Sequence, residues 1–292
     1  MPSKKNKAHR AGTIAIIGRP SIGKSTLLNR IIGEKVSITA RKPQTTREQI
    51  LGIASFEDAQ LAFIDTPGIH QKQYRRINQV MNQAAISSID QSDVCLLMVD
   101  TSLHSDDLYI AQKLAAGKTP VVIALNKVDQ INDKASLLPV LESYQKLLQP
   151  LAIIPISAKR GHGLKPLEEA LIAAVPEQEA LYDKTQITDK SDAYMVQELV
   201  REQCFRHMGQ EIPYSIKTEV ERFEYKQAKK LYHIGVQIIV ERDMQKAMLI
   251  GKRGARLKEI AMLSRLAMEK MLEHKVFLEL WVKVVPNWPD KV

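Results

Sequence analysis

The chain has 292 residues and a mass of 32.9 kDa, which exceeds the usual size of one domain and predicts two domains that can each bury a core. With 45% hydrophobic and 26% charged residues, its composition excludes a disordered, collagen-like or low-complexity protein. The net charge of +9 and a pI near 9.4 favour a polyanionic partner, either a nucleic acid or an anionic membrane surface.

The two cysteines, Cys95 and Cys204, lie far apart in the sequence and outside any CxxC or Cys/His cluster, so neither a disulfide nor a zinc site is predicted. No apolar run approaches the ~20 residues that a spanning helix needs. The segment Met1–Arg10 is polar and basic, without the apolar stretch of a signal peptide. These features predict a cytoplasmic protein.

A polar, proline-marked stretch at 175–193 lacks a sustained apolar period, as a linker does. The predicted organisation is a basic flexible tail (1–11), a first domain (12–175), a linker (176–193), a second domain (194–285) and a tail (286–292). Up to Ala180 there are 22 basic and 17 acidic residues, and beyond it 20 and 16, so neither half is strongly basic. The basic residues form two local clusters instead: Lys4, Lys5, Lys7 and Arg10, and Lys246, Lys252, Arg253, Arg256 and Lys258.

The first domain contains short apolar runs separated by helical stretches. Most of these runs are followed by polar or glycine-rich residues, the arrangement in which buried parallel strands deliver functional loops at their carboxyl ends. The pattern predicts an α/β doubly wound sheet. Its predicted strands are TIAIIG (13–18), AQLAFID (59–65), VCLLMVD (94–100), PVVIALN (120–126) and LAIIPIS (151–157).

The first of these runs leads into a complete GxxxxGK[ST] motif, from Gly18 to Ser25, and then into a helical sequence. Glycines let the backbone wrap around phosphate oxygens, and successive N–H groups supply a positive field. We expect Lys24 to reach the β- and γ-phosphates of a nucleotide and Ser25 to hold Mg²⁺. A glycine-rich turn between a strand and a helix is the alternative explanation, and the position of the motif at a strand end argues against it.

A second motif, from Asp65 to Gly68, closes the next strand. Its carboxylate would support Mg²⁺ through a water molecule, and the Gly68 N–H can contact a γ-phosphate and lose that contact after hydrolysis. Taken alone, this DTPG sequence is also an ordinary β-turn.

The third motif, Asn126-Lys127-Val128-Asp129, follows the strand VVIAL. The Asp129 carboxylate can accept hydrogen bonds from N1–H and the exocyclic amine of guanine, whereas adenine presents the opposite pattern and would leave it unpaired. A fourth motif, Ser157-Ala158-Lys159, would place backbone N–H groups near the guanine O6. Together the motifs predict a site for a guanine nucleotide.

Between the first two motifs lies the polar segment Lys42–Arg47, in the position of a mobile loop whose threonine could complete the Mg²⁺ shell. With this segment included, the set resembles the translation-factor-related GTPases, and QTTR together with DTPGIH resembles the Era family in particular. The resemblance implies an Era-type G domain in which Gln44, Thr45, Thr46 and Arg47 are switch residues. It makes Thr46 the metal-binding threonine and Thr45 the weaker candidate.

By this resemblance the GTP-binding residues belong to four segments. They are Gly18, Arg19, Pro20, Ser21, Ile22, Gly23, Lys24, Ser25 and Thr26; Asp65, Thr66, Pro67, Gly68 and Ile69; Asn126, Lys127, Val128 and Asp129; and Ser157, Ala158 and Lys159.

The residue after Gly68 is Ile69, where Ras-like proteins carry the glutamine that orients the attacking water. The resemblance places the chain among hydrophobic-substituted GTPases and implies slow intrinsic turnover. His70 and Gln71 are next along the chain and are expected to face solvent. A second departure is Ser21, where potassium-dependent relatives carry an asparagine that helps to coordinate K⁺, so stimulation by K⁺ is not implied.

The second domain shows elements in the order helix, strand, strand, helix, GxxG turn, helix, strand. The helix at 195–209 carries an apolar face of Met195, Leu199, Cys204, Phe205 and Met208 and ends at Gly209. Alternating segments at 214–225, 231–242 and 275–284 predict three strands. A short apolar segment at 247–251 precedes the turn, and the helix after the turn ends near His274.

This order resembles an α+β type II KH domain, so the Era resemblance extends from Gly12 to Val285. A GxxG turn between two helices brings backbone N–H groups close to a phosphodiester backbone, and bases can lie on an adjacent apolar surface. A glycine turn without a ligand is the alternative, and the surrounding basic residues argue against it. The predicted RNA-binding residues are Ile250, Gly251, Lys252, Arg253, Gly254, Arg256 and Lys258.

Four methionines of this domain, Met248, Met262, Met268 and Met271, are expected to pack in the core rather than to contact a ligand. Trp281 lies in an alternating strand and is also expected in the core. For Trp288, beyond Pro286, both packing and binding stay open.

The leading hypothesis is a monomeric GTP-hydrolysing switch, with GTP, GDP and Mg²⁺ as ligands and with loops 40–48 and 66–80 ordered by GTP. The family resemblance implies binding to 16S rRNA near its 3′ end during assembly of the 30S ribosomal subunit, and weak peripheral contact with the inner face of the cell membrane. The alternatives are an RNA-binding adaptor that only holds nucleotide and a P-loop kinase of small metabolites, which the NKVD and SAK motifs disfavour.

Overall fold

The computed structural model describes residues 9–40, 45–46, 48–69, 76–208 and 216–288. The chain divides into two compact units at Asp189 and Lys190, apart from the described residues at 38–40, 45 and 76–77, which cluster with the second unit. Among the described helices, none is long and apolar enough to cross a bilayer.

The first unit is built on a six-stranded sheet whose order is β2-β3-β1-β4-β5-β6. Five strands are parallel, as the apolar runs predict, and β2 pairs antiparallel with β3 at the edge. The strands are β1 (Arg10–Ile17), β2 (Ile50–Ser55), β3 (Ala59–Asp65), β4 (Val94–Val99), β5 (Val121–Leu125) and β6 (Ala152–Pro155). The helices are α1 (Lys24–Ile32), α2 (Arg76–Asp90), α3 (Ser105–Ala115), α4 (Leu138–Leu148) and α5 (Leu164–Ala174).

Helices cover both faces of this sheet, so each strand is apolar on both sides. Along β1, Ile14 and Ile16 pack in one core and Ala15 and Ile17 in the other, because successive side chains point to opposite faces. One core includes buried residues of α1 and α5, and the other includes buried residues of α2, α3 and α4. This three-layer arrangement brings the carboxyl ends of β1, β3, β4, β5 and β6 to one edge of the sheet.

Strand β2 was not predicted. Its sequence, ILGIAS, is short and contains a glycine, which is uncommon in a strand interior. The glycine has a packing reason, since a Cβ at Gly52 would lie 2.7 Å from the Leu28 side chain on α1. The antiparallel edge strand therefore depends on a close approach of α1 that periodicity does not reveal.

The predicted carboxyl-terminal boundary of the flexible tail, at residue 11, is wrong. β1 begins at Arg10, and Ala11 is fully buried. The Arg10 guanidinium donates to the backbone oxygens of Ala173 and Val175, at 2.7 and 2.8 Å, and forms an ion pair with Glu177. Arg10 thus satisfies carbonyls at the end of α5, which have no partner within the helix. Residues 1–8 lie outside the described part of the chain.

The predicted linker at 176–193 also needs correction, because its larger part belongs to the first unit. The Ile187 carbonyl accepts from the N–H of Ile53 at 2.8 Å, and Thr188 Oγ1 donates to the Leu51 carbonyl at 2.7 Å. These bonds satisfy the open edge of β2, which would otherwise present unpaired backbone groups. A polar segment without apolar period can therefore be held by hydrogen bonds to the backbone of a neighbouring strand.

The second unit is a three-stranded sheet in the order β7-β8-β9, with β7 antiparallel and β9 parallel to β8. Its elements are α6 (Asp192–His207), β7 (Lys217–Lys226), β8 (Leu231–Val240), α7 (Asp243–Ile250), α8 (Ala255–Leu272) and β9 (Lys275–Val284). This order and the described strands agree with the predicted type II KH pattern. The predicted helix end at Gly209 and strand start at 214 lie outside the described residues.

One core lies between this sheet and α6, α7 and α8. It contains buried side chains of α6 and the alternate residues Ile234, Val236 and Ile238 of β8. The apolar face predicted for α6 is confirmed, since all five of its predicted residues are buried.

The core assignment of Met248, Met262 and Trp281 is wrong. Met262 is 50% exposed whereas Met268 is 0% exposed, because Met268 shares the buried stripe of Ile260 and Ser264 at four-residue spacing. Met248 is 42% exposed, and Met271 is partly buried against the core as predicted. The presence of an apolar side chain does not show which side of its helix is covered by the rest of the protein.

Trp281 is 37% exposed on the opposite face of the sheet. Its ring lies over Gly235, where a Cβ would be 3.1 Å from the ring carbon Cη2. Trp288, which the sequence left open, is 7% exposed and therefore packs. Alternation in β9 identifies two faces, and only the packing of the helices decides which of them is the core.

Met268→Ala and Met262→Ala form a matched pair on α8 that tests this burial. We expect Met268→Ala to lower the free energy of unfolding of the second unit by about 2–5 kcal/mol, because it leaves a cavity. Met262→Ala should change it by less than about 0.5–1 kcal/mol. Both tryptophans of the chain, Trp281 and Trp288, lie in this unit, so urea unfolding followed by tryptophan fluorescence reports on it. Equal effects of the two substitutions would contradict the arrangement.

Candidate functional site

The loop between β1 and α1 has the conformation that a phosphate-binding loop requires. Gly18, Ser21 and Gly23 have φ angles of 156°, 59° and 113°. A Cβ at Gly18 would lie 2.6 Å from the Met98 carbonyl oxygen, and one at Gly23 would lie 2.6 Å from Asn126 Nδ2. Both glycines are therefore needed for a turn this close to neighbouring strands, and α1 begins beyond Gly23 with no acidic residue in its first turn.

Lys24 is buried at the start of α1, and its ammonium group points back over the loop. Nζ donates to the carbonyl oxygens of Gly18, at 2.9 Å, and Arg19, at 3.2 Å. Burial lowers the pKa of Lys24 to about 8, and the carboxylates of Asp65 and Asp107 partly offset this effect. A buried ammonium group that donates to two carbonyls is placed to exchange them for anionic oxygens.

Four oxygen-bearing side chains meet near the end of β3 and the start of α1. Ser25 Oγ donates to Asp65 Oδ2 at 2.7 Å and lies 2.9 Å from Thr46 Oγ1. Ser37 Oγ also donates to Asp65 Oδ2, at 3.0 Å. The structure thus brings Thr46, the favoured switch threonine, to Ser25, while Thr45 is buried nearby in sequence.

These residues fit Mg²⁺. Burial raises the pKa of Asp65, against the opposing charge of Lys24 and hydrogen bonds from Ser25, Ser37 and Thr46. Among the described residues, Asp65 Oδ1 is buried without a hydrogen-bond partner, so one carboxylate oxygen can accept from a metal-bound water. The described residues contain no cluster of three or more His, Cys, Asp or Glu side chains for a metal. Hydroxyls and phosphate oxygens, which Mg²⁺ prefers, would supply the remaining ligands.

The DTPG segment lies directly against the phosphate-binding loop. A Cβ at Gly68 would be 2.5 Å from the Pro20 nitrogen, so only glycine allows this approach. The Thr66 hydroxyl donates to the Ile16 carbonyl at 2.7 Å and fixes the segment to β1. Ile69 N donates to the Gly18 carbonyl at 3.3 Å, while its side chain is buried in the apolar core. The side chains of Thr66 and Ile69 therefore position the segment and do not face a ligand.

Asn126 connects three of the predicted segments. Its Nδ2 donates to the Ile22 carbonyl at 2.8 Å, and its Oδ1 accepts from the Ala158 N–H at 3.0 Å. The Val128 N–H donates to the Ile156 carbonyl at 3.2 Å. These bonds hold the NKVD and SAK segments and the phosphate-binding loop at one edge of the sheet.

Asp129 lies at the same edge of the sheet. The Ser157 side chain holds the pKa of Asp129 below its usual range, with smaller contributions from Arg160 and Lys159. The carboxylate is therefore ionised at neutral pH and able to accept two hydrogen bonds. Lys159 is exposed, and its carbonyl accepts from Arg30 at 2.8 Å.

The remaining predicted residues differ in where the structure places them. Ile22 is fully buried in the core, so only its backbone can contact a ligand. Pro20 lies against Gly68 of the DTPG segment, Pro67 is buried, and Thr26 lies in the first turn of α1. The switch residues Gln44 and Arg47, and also His70 and Gln71, lie outside the described residues.

Sequence reasoning missed two acidic residues near the loop. Asp100, directly after β4, accepts from Arg19 Nη2 at 2.7 Å and from Lys127 Nζ at 2.8 Å. Asp107, in the first turn of α3, accepts from Arg19 Nε at 3.1 Å. The signal for Asp100 was its place at a strand end, on the edge that carries the other motifs. Asp107 had no such signal.

The second candidate site is the GxxG turn between α7 and α8. Gly251, Arg253 and Gly254 have φ angles of 70°, 52° and 76°. A Cβ at Gly251 would lie 2.8 Å from the Arg256 Cβ, whereas Gly254 has open space where its Cβ would be. Gly254 precedes α8, whose first turn has no acidic residue, and Lys252 and Arg253 are exposed. The turn can therefore admit an anionic chain close to its backbone.

The other predicted RNA-binding residues differ in accessibility. Arg256 Nη1 donates to the Met248 carbonyl at 2.6 Å, so part of its guanidinium group serves to cap α7. Lys258 is exposed and Ile250 is partly buried against the core. The exposed Met248 side chain, on the residue that Arg256 contacts, offers apolar surface beside the turn.

Two protein-family models match the chain. One, described as a 50S ribosome-binding GTPase, matches residues 13–127, and the other, described as a KH domain, matches residues 211–289. The two matches fall on the two units of the structure.

Curated relatives match along almost the whole chain. The protein named GTPase Era from Xanthomonas oryzae pv. oryzae is 45% identical over 283 residues, which cover 97% of this chain and 94% of the relative. GTPase Era from Coxiella burnetii is 44% identical over 279 residues, covering 96% and 94%.

Two solved structures are similar over the same extent. An Era variant from Aquifex aeolicus bound to GDP and AlF₄⁻ superposes with a TM-score of 0.92 at 36% identity, covering 97% of this chain and 96% of that one. Era in complex with MgGDPNP and nucleotides 1506–1542 of 16S ribosomal RNA gives a TM-score of 0.93 at 36% identity, with the same coverage.

Asp129→Asn tests base recognition. An amide cannot accept hydrogen bonds at both of its heteroatoms, so we expect affinity for GTP to fall by about two orders of magnitude or more and xanthine nucleotides to become the preferred ligands. Competition binding of the two nucleotides to the full chain measures the change. Asp133→Asn, an exposed aspartate nearby in sequence, is the control. Unchanged preference for GTP in Asp129→Asn would contradict the assignment.

Proposed function

Since the chain belongs to the Era family of GTPases, we propose that it is a GTP-hydrolysing switch that binds 16S rRNA near its 3′ end through its KH domain and acts in assembly of the 30S ribosomal subunit. The observation that carries the nucleotide site is the meeting of Lys24, Ser25, Asp65 and Asn126 at one edge of the sheet. The rRNA follows from the Era neighbour whose structure contains a 16S fragment.

The G domain would bind GTP and Mg²⁺ through the strand-end loops. Lys24 would contact the β- and γ-phosphates, Asp129 the guanine base, and Ser25 and Thr46 the metal, with Asp65 behind them through a water. Bound Mg²⁺ neutralises phosphate charge. The predicted loops 40–48 and 66–80 would be the segments that respond to the γ-phosphate.

Intrinsic turnover would be slow. A glutamine that orients water has no counterpart at Ile69, and the burial of that side chain supports the view that it takes no part in water activation. Hydrolysis would then depend on other groups or on a partner. Complete lack of turnover in the presence of RNA would favour an adaptor that only holds nucleotide.

The KH domain would bind single-stranded RNA along the GxxG turn. The two glycines, the exposed Lys252 and Arg253 and the nearby exposed Met248 supply the backbone approach, the charge and the apolar surface that such binding uses. We further propose that the protein acts as a cytoplasmic monomer, with weak peripheral association with the cell membrane.

Crosslinking in cells tests this function. In permeabilised cells, the protein is held in its GTP-bound form with a non-hydrolysable GTP analogue and is then crosslinked to RNA. The attached RNA is sequenced. We expect reads concentrated near the 3′ end of 16S rRNA. Reads without ribosomal RNA would refute the proposed partner even if GTP binding and hydrolysis were retained.

Replacing Lys252 and Arg253 with Asp tests the RNA interface. Two lost phosphate contacts should weaken binding to a single-stranded 16S fragment and lower the slope of log K against log salt by about 0.7 per contact. GTPase activity without RNA should be retained. Lys229→Asp with Lys230→Asp, an exposed basic pair in the same unit, is the matched control and should retain affinity. Equal RNA affinity in both double variants would direct attention to the basic tail.

Ser21→Asn tests potassium dependence. Ser21 has a left-handed φ of 59°, a conformation in which asparagine is enriched, so the loop can accept the substitution. We propose that the natural chain turns over equally in KCl and NaCl and that Ser21→Asn is faster in KCl. Stimulation of the natural chain by K⁺ would contradict the first expectation, and equal rates for both proteins would remove K⁺ from the account.

A further inference from the structure

Four charged side chains form an alternating chain beside the nucleotide site. Asp100 accepts from Lys127 Nζ at 2.8 Å and from Arg19 Nη2 at 2.7 Å, both on Oδ2. The same Arg19 guanidinium donates through Nε to Asp107 Oδ2 at 3.1 Å. The order Lys127, Asp100, Arg19, Asp107 connects the base-recognition segment, the end of β4, the phosphate-binding loop and α3.

This ionic chain carries no net charge, so it adds little to the field that attracts phosphates. The Arg19 guanidinium is held by the carboxylates of Asp100 and Asp107, whereas the Arg19 carbonyl oxygen accepts from Lys24 Nζ at 3.2 Å. The position of that carbonyl, and hence of the loop, is therefore fixed by where the guanidinium is held. The role that this geometry allows for the Arg19 side chain is positional.

Asp107 is the fixed end of the ionic chain. Its side chain is 0% exposed in the first turn of α3, and burial raises its pKa against the opposing charge of Arg19. Tyr144 of α4 is fully buried and interacts electrostatically with Asp107. Within the described chain, the Tyr144 hydroxyl and Asp107 Oδ1 have no hydrogen-bond partner, so Arg19 is the main compensation for this carboxylate. A buried charge that loses its counterion is strongly destabilising, which keeps the Arg19 side chain in place.

Asp100 is the junction of the ionic chain. Burial works to raise the pKa of Asp100, but the hydrogen bonds from Lys127 and Thr101 and the charges of Lys127 and Arg19 hold it below its usual range. One carboxylate oxygen thereby joins the second residue of the phosphate-binding loop to the lysine of NKVD. Movement of one segment disturbs the other through this shared acceptor.

We propose that Arg19, Asp100 and Asp107 are positioning residues that lock the phosphate-binding loop to the base-recognition segment, so that recognition of the phosphates and of guanine is coupled. The inference rests on the proposed binding of guanine nucleotides. Without the Arg19 guanidinium, the loop and Lys127 are held separately. A nucleotide then dissociates faster. Loss of a hydrogen bond to the base also weakens binding of the phosphates less than it does when the two segments are coupled.

The test compares Arg19→Met with Arg10→Met in the full chain. Arg10 is the matched control, because its guanidinium likewise pairs with a carboxylate in the first unit, and in addition it donates to backbone carbonyls at the end of α5. We expect Arg19→Met to speed dissociation of fluorescent GDP about tenfold. Arg10→Met should lower thermal stability without changing that rate.

Two further measurements separate positioning from a loss of stability. In Arg19→Met with Asp107→Asn, the buried charge is removed together with its partner, so thermal stability should recover while GDP dissociation stays fast. The affinity ratio of GDP to inosine diphosphate, which lacks the exocyclic amine, should shrink in Arg19→Met and stay unchanged in Arg10→Met.

The proposal is overturned if GDP dissociation and the GDP-to-inosine-diphosphate ratio in Arg19→Met equal those of the unmodified chain. It is also overturned if the double variant recovers slow dissociation along with stability. Failure of the unmodified chain to bind GDP would refute the proposed function itself, which is a separate result.

Discussion

Two buried opposite charges, Lys24 at the start of α1 and Asp65 at the end of β3, set the main constraint on the first unit. Burying an ionised group is costly unless hydrogen bonds and counter-charges compensate it. The compensation comes from the carbonyls of Gly18 and Arg19 on one side and from the hydroxyls of Ser25 and Ser37 on the other. This arrangement depends on the glycines of the phosphate-binding loop, on the serine hydroxyls and on the pairing of β1 with β3. The same groups suit a magnesium-bound polyphosphate.

Much of this site could be predicted because its residues follow strands in sequence. Parallel strands place their carboxyl ends at one edge, so Lys24, Asp65, Asn126 and Ala158 had to converge once the apolar runs were read as a sheet. The side chain of Thr66 and the core position of Ile69 could not be predicted, because they depend on which strand or core lies beneath the loop. Asp107 escaped notice since only the packing of α3 brings it to Arg19.

The predictions of the fold that were wrong share one cause, which is packing between segments that are distant in sequence. Arg10 and residues 176–189 looked like tail and linker because they are polar, yet they satisfy backbone groups at the end of α5 and along β2. Met262 and Trp281 were predicted in the core because they are apolar and regularly spaced. Both are exposed, because the core of the second unit lies on the other side of α8 and on the other face of β9. Periodicity assigns side chains to faces, and the choice of the buried face depends on contacts that single segments do not encode.

The buried Lys24 and Asp65 groups are arranged to receive a magnesium-bound guanine nucleotide. A crystal structure of the full chain with Mg²⁺ and a non-hydrolysable GTP analogue tests it most directly. We expect Lys24 Nζ to leave the Gly18 and Arg19 carbonyls for the β- and γ-phosphates. Ser25 and Thr46 should ligate the metal, and Asp129 should accept hydrogen bonds from the base. A bound nucleotide with Lys24 still on the two carbonyls and with the metal away from Ser25 would contradict it.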